Sequence, residues 1–211
     1  WYSDHEYSSV RITGSHTNVV RIERNGEVLF DKDASEERTG VLAQFKSDLT
    51  VQDIVEFADC VDLADVEDML ERQIEYNSAI AKEGLKNDYG ARVGKILIDA
   101  FGDDVHNRAK ATAAAGSDAR MNGCELPVVI VSGSGNQGMT ASLPVVVYAK
   151  HFNSPREKLL RALVVSDLVT IHLKAGIGCL SAYCGAVSAG CGAGAGVCYL
   201  RGGGYDQIAH T

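Results

Sequence analysis

The stretch Tyr183–Leu200, YCGAVSAGCGAGAGVCYL, decides how this chain folds. It carries no charge and is built almost wholly from Gly, Ala, Ser and Cys. It extends a charge-free run from Ala175 to Leu200, long enough in residues to span a bilayer. Large apolar side chains are too few for a lipid-facing helix, and small residues let backbones pack closely. The run therefore predicts a buried helix inside a soluble protein. A second charge-free run, 126–149, is broken by SGSGNQG and Pro144 and is rejected as a span.

Cys184, Cys191 and Cys198 recur every seventh residue in this stretch. On an α-helix seven residues advance about 10.5 Å and return to nearly the same face, drifting by ~20°. Thiols so spaced cannot form disulfides with one another, because bridged Cα atoms lie within about 7 Å. Two of them cannot share one zinc ion, whose sulfur ligands sit within about 4 Å of each other. At most one can serve any single metal centre, and the others are read as small packing residues. Spacing does not say which.

Outward from this helix, the 211 residues suffice for one large or two small domains. Net charge is −8 and no dense Lys/Arg cluster occurs, which argues against nucleic-acid binding. Six Cys without a visible signal peptide suggest reduced thiols, metal ligands or catalysis before disulfides, and a cytoplasmic setting. The chain opens at Trp1 and closes on YDQIAHT, so a fragment of a longer protein is expected.

Residues 1–40 alternate apolar and polar positions in SSVRITG, TNVVRIER and EVLFDKD, with Asn25-Gly26 suited to a type I′ hairpin. Beyond about 40 the period becomes helical. Val51, Ile54, Val55 and Ala58 share a face; Leu63, Val66, Leu70, Ile74 and Asn77 trace another. Val93, Ile96, Leu97 and Ala100 form a third stripe, and an Ala-rich helix is read over 104–115. Ser154, Pro155 and Glu157 open a further helix whose apolar residues cover its circumference, the mark of burial. The fold class is α+β. A strand element over 1–40, the end of a mixed α/β part, precedes a mainly helical domain over 41–211 that is truncated at its C-terminus.

Gly133-x-Gly135-x-x-Gly138 follows an apolar run, with Glu157 about twenty positions on, which matches the dinucleotide fingerprint mechanically. That fingerprint needs a helix inside a βαβ unit, and Pro144 is expected to break it. Two other readings stand beside a nucleotide-binding oxidoreductase. One is a plain glycine-rich turn. The other is a nest in which backbone N–H groups with Ser132, Ser134, Asn136 and Gln137 cradle a carboxylate. Asp118 and Arg120, just upstream, either pair and shape the same pocket or form a surface pair.

Taken together, GSHTNVVRIE, SDARMNGCELPVV, SGSGNQGMTASLPVVVYAKHF and LSAYCGAVSAGCGAGAG resemble the L-cysteine desulfidase family, which is similar to the alpha chains of iron–sulfur L-serine dehydratases. The resemblance covers essentially the whole chain and implies a central fragment. It implies β-elimination of L-cysteine to pyruvate, ammonia and sulfide, with an L-serine ammonia-lyase as the alternative. It also implies a [4Fe–4S] cluster held by three Cys, of which Cys184 is the first. The other two, and an N-terminal Gly-Cys-Thr-Glu-Pro segment, fall outside this chain, so an intact cluster and activity are not expected of it alone. By the same resemblance SGSGNQG anchors a small amino-acid substrate, and His16, otherwise a turn histidine, joins the site as an acid/base or substrate residue. No membrane partner is expected, and a homodimer is compatible with the sequence.

Overall fold

The computed structural model describes residues 1–14, 17–32, 48–178 and 183–211. The chain divides into two compact units, Trp1–Asp48 with Ala175–Ala182, and Leu49–Lys174 with Tyr183–Thr211. The boundary read near residue 40 falls in 33–47, outside the described residues.

In the first unit, β1 (Ser8–Ile12), β2 (Val19–Arg24) and β3 (Glu27–Asp31) form an antiparallel sheet in the order β1-β2-β3. Arg24 pairs with Glu27, leaving a two-residue turn. Asn25 and Gly26 both have positive φ, 51° and 86°, as a type I′ hairpin requires. The Asn25 side chain also accepts a hydrogen bond from the Tyr7 amide at 2.8 Å.

The second unit is helical: α1 (Val51–Cys60), α2 (Glu67–Lys86), α3 (Val93–Phe101), α4 (Val105–Met121), α5 (Gly135–His151), α6 (Arg156–Ile177), α7 (Gly185–Leu200) and α8 (Tyr205–Ala209). Thr50 and Asp53 close a capping box on α1. Arg161 of α6 donates to the carbonyls of Ala58, Asp59 and Val61, satisfying the C-terminal end of α1. The Tyr199 hydroxyl of α7 donates to Asp59 at 2.5 Å, and Arg156 pairs with Glu71 of α2.

Helix α6 is the centre of the unit, as its all-round apolar sequence foretells. Leu159, Leu160, Leu163, Val164 and Val165 are buried there, together with Ser166 and Thr170. The Ser166 hydroxyl donates to the Ala141 carbonyl of α5 at 2.8 Å, and Thr170 to Ser166 O at 2.8 Å. Buried hydroxyls are thus satisfied without water. Helix α7 packs against α6 through Gly192, where a methyl group would collide with Ser166 O and Thr170 Oγ1. The small-residue composition has this physical cause: one face of α7, with Ser188, Gly192, Ala195 and Gly196, is buried by close backbone contact.

Two expectations are corrected. The charge-free run 175–200 is not one helix: α6 ends at Ile177, Gly178 takes φ 84°, and α7 starts at Gly185. A left-handed glycine terminates a helix. Pro144 does not break the helix after SGSGNQG either, for α5 runs through it. Pro removes the bond that Thr140 O would accept. Thr140 and Pro144 both line a groove of about 900 Å³ between α4, α5 and α7, so the proline sits on the side of α5 that faces open space. No described helix is long and apolar enough to cross a membrane.

Candidate active site

The run 124–130 belongs to no helix or strand and leads into SGSGNQG. Asn77, fully buried on α2, holds it in place. Its Nδ2 donates to Val129 O at 3.2 Å and to Ser142 Oγ at 3.0 Å, while Val129 N donates to Asn77 Oδ1 at 2.9 Å. Gly138 lets the run lie directly on α5, since a methyl group there would collide with the Val129 carbonyl.

Ser134 is the N-cap of α5, accepting from Gln137 N at 3.3 Å. Gln137 is fully buried, and its amide is turned back on the loop: Oε1 accepts from Ser132 N at 2.9 Å and Nε2 donates to Ser132 Oγ at 3.1 Å. Gln137 therefore shapes the loop from within. Asn136 accepts from Arg120 Nη1 at 3.1 Å, and the Arg120 side chain lies over Gly135. Asp118 does not join them. Its carboxylate accepts from Val93 N at 2.7 Å and so caps α3 instead of pairing with Arg120.

Cys184 is the N-cap of α7, and its thiol-bearing side chain is exposed. The next residue, Gly185, packs on Gln137: a methyl group there would lie 3.3 Å from Gln137 Nε2. Further along, Gly196 of α7 lies beside Val145 of α5. Helices α5 and α7 are therefore parallel, with both N-termini at one end and Gln137 between them. Each N-terminus carries roughly half a positive charge on its unpaired N–H groups. With Arg120 alongside, this end of the unit favours an anion such as a carboxylate.

The thiols are spread as the helix arithmetic requires. Cys191 is exposed, which corrects its reading as a packing residue, whereas Cys198 is half-buried and lies close against Gly203. Cys179 and His16 lie outside the described residues. Among the described residues no three His, Cys, Asp or Glu side chains converge to hold a metal ion. An iron–sulfur cluster takes several thiolates. These residues bring one exposed thiol, Cys184, to the N-termini, so they do not assemble such a cluster by themselves.

The dinucleotide reading also fails here, because the helix opens at Gly135 with no strand before it and no parallel sheet among the described residues. Sequence reading places Asn77 on the α2 stripe with Leu70 and Ile74 but gives it no part in the site; it is one of two buried amides on that face, with Gln73.

The serine dehydratase alpha chain family model matches residues 16–211. A UPF0597 protein of Desulfitobacterium hafniense is 58% identical over 205 residues, covering 97% of this chain and 47% of the relative. A UPF0597 protein of Lachnoclostridium phytofermentans is 55% identical over 204 residues, with 97% and 48% covered. One from Treponema denticola is 46% identical over 201 residues, with 93% and 47% covered. The chain spans about half the length of the curated relatives it matches. No solved structure matches it. With the family model covering nearly every residue that builds the paired helix N-termini, the chain belongs to the serine dehydratase alpha chain family.

Proposed function

We propose that the whole protein is a β-eliminating lyase acting on L-cysteine, and that this chain supplies the anchor for the substrate carboxylate. The observation that carries the reading is the parallel pair of helix N-termini, α5 and α7, sharing Gln137 and flanked by Arg120. Such an end attracts a carboxylate through oriented N–H groups and one guanidinium. Ser132 and Ser134 add hydroxyls at the same loop, the first held by Gln137 and the second by its capping role.

The reaction takes the α-proton to a base and breaks the Cβ–S bond. Sulfide leaves, and the resulting enamine hydrolyses to pyruvate and ammonia. In the full-length protein Cys184 is the residue of this chain that would ligate a [4Fe–4S] cluster. A cluster with an open iron supplies Lewis-acid chemistry. The described residues do the binding: they fix the carboxylate and so orient the Cα–Cβ axis.

The name of the matched family favours a second reading, L-serine as substrate with water leaving in place of sulfide. One experiment separates the two. The full-length protein, prepared anaerobically, is assayed for pyruvate with L-cysteine and with L-serine, and for sulfide with L-cysteine. Sulfide with equal pyruvate supports the first reading. Preference for L-serine supports the second, and turnover of neither overturns both. Arg120→Ala is expected to raise KM for the working substrate by about tenfold or more, the usual scale of one charge-assisted contact.

A further inference from the structure

A separate cavity of about 150 Å³ lies between α1, α2 and α6 and is closed by Val129–Val131. Phe57, Leu70, Val164 and Ile171 give it apolar walls. Two polar residues, Gln73 and Asp167, face each other across α2 and α6. Gln73 is only 2% exposed, and its Nε2 donates to Asp167 Oδ1 at 3.0 Å. Its Oε1 has no partner among the described residues. A buried carbonyl oxygen left unpaired costs on the order of 1–3 kcal/mol, and folded proteins carry few of them.

The pattern of what is left over defines the missing partner. Gln73 Nε2 gives one of its two N–H groups to Asp167. The buried atom left without a partner is the acceptor Gln73 Oε1, and it stands beside the Asp167 carboxylate on the cavity wall. Burial also pushes the Asp167 carboxyl up to about 7, against the opposing hydrogen bond from Gln73. A complementary ligand must bring several N–H groups, a positive charge and an apolar body. The volume matches a molecule of about benzene size.

We propose that this cavity is a binding site for a small primary ammonium ion with an aliphatic chain of about four or five carbons. The ammonium group donates to Gln73 Oε1 and Asp167, and the chain lies against Leu70, Val164 and Ile171. The site shares with the loop at Ser132 only the run Val129–Val131 that leads into it. It therefore stands whether or not the proposed lyase activity does.

The test is isothermal titration of the full-length protein with butylammonium chloride, with butan-1-ol as the uncharged control. Saturable binding at one site per chain is expected, with the alcohol weaker by about tenfold or more. Asp167→Asn is expected to weaken butylammonium by about tenfold or more, for the same loss of a charged partner. Should that variant fail to fold, Ile171→Phe fills the cavity from a half-buried wall position and is expected to abolish the binding heat. No saturable heat with butylammonium, equal binding of butan-1-ol, or unchanged affinity in the folded variant overturns the proposal, and the cavity then holds water alone.

Discussion

Asn77 joins three pieces of the unit with one side chain: α2, the run entering the loop, and Ser142 of α5. Truncating it removes the partner of the half-buried Val129 N and O and one partner of the buried Ser142 hydroxyl. Asn77→Ala is expected to cost about 2–4 kcal/mol in urea unfolding, three hydrogen bonds at roughly 1 kcal/mol each. Asn77→Asp keeps the acceptor for Val129 N but sets a carboxylate oxygen against Val129 O in a fully buried position, and should cost at least as much. Asp167 gives a pH signature at the same scale. Its folded pKa is pushed up to about 7, well above the ordinary carboxylate value of about 4, because burial disfavours the charge. The folded state thus binds this proton more tightly than the unfolded one. Its contribution is fully present below about pH 4 and is lost as pH rises to about 7. Asp167→Asn is not subject to that loss. The stability difference between variant and wild type should therefore grow in the variant's favour from pH 4 to 7.5. Its ceiling is about 4 kcal/mol by linkage, reduced because Asp167 keeps part of its surface in water. Thermal unfolding of both proteins across that range, in amine-free buffer, checks it, and parallel pH curves would refute it. Neither residue announced its role. Both sit on helical faces whose apolar neighbours are readable from period, while their partners come from distant parts of the chain: residue 129 for Asn77, residue 73 for Asp167.

The elements themselves were largely legible. The hairpin at Asn25-Gly26, the helices at 51, 93 and 156, and the burial of α6 follow from period, caps and turn chemistry, because those signals are local. Pro144 misled because the cost of proline depends on its surroundings, and both Thr140 and Pro144 line a groove. The break between α6 and α7 was hidden because its stretch is compositionally like α7 itself. What composition did convey is that α7 is packed by glycine. Gly192→Ala puts a methyl group into Ser166 O and Thr170 Oγ1. It is expected to cost about 1–3 kcal/mol, the scale of overpacking a dense core. Gly190→Ala on the same helix meets nothing within 4 Å. It should be neutral or slightly stabilising, since Ala exceeds Gly in helix propensity by about 1 kcal/mol. Comparing the two melting temperatures separates packing from propensity. Equal effects would mean that α7 is not seated on α6 as described.

For the whole molecule, the candidate site was half legible. Ser132, Ser134, Asn136, Gln137, Arg120 and Cys184 do gather around two helix N-termini, but their division of labour was not written in the motif. Gln137 is spent inside the loop, Asp118 caps α3, and Arg120 is held by Asn136. A side chain's partner is a property of the folded backbone, and only the residue type is visible beforehand. The same limit applies to the thiols. Helix spacing separates Cys184, Cys191 and Cys198, and among the described residues Cys184 is the thiol at the N-terminus of α7. If the full-length protein carries a cluster, its remaining ligands must be brought to Cys184 by residues outside those described. The 211-residue chain produced alone and reconstituted anaerobically with iron and sulfide is then expected to hold less than one cluster. In the full-length protein Cys184→Ser should lower iron and acid-labile sulfide well below one cluster per chain. Cys191→Ser, about 10.5 Å further along the helix axis, should leave both unchanged. A stoichiometric cluster in the isolated chain, or equal iron loss in the two variants, would remove Cys184 from its role as the chain's contribution to the metal centre.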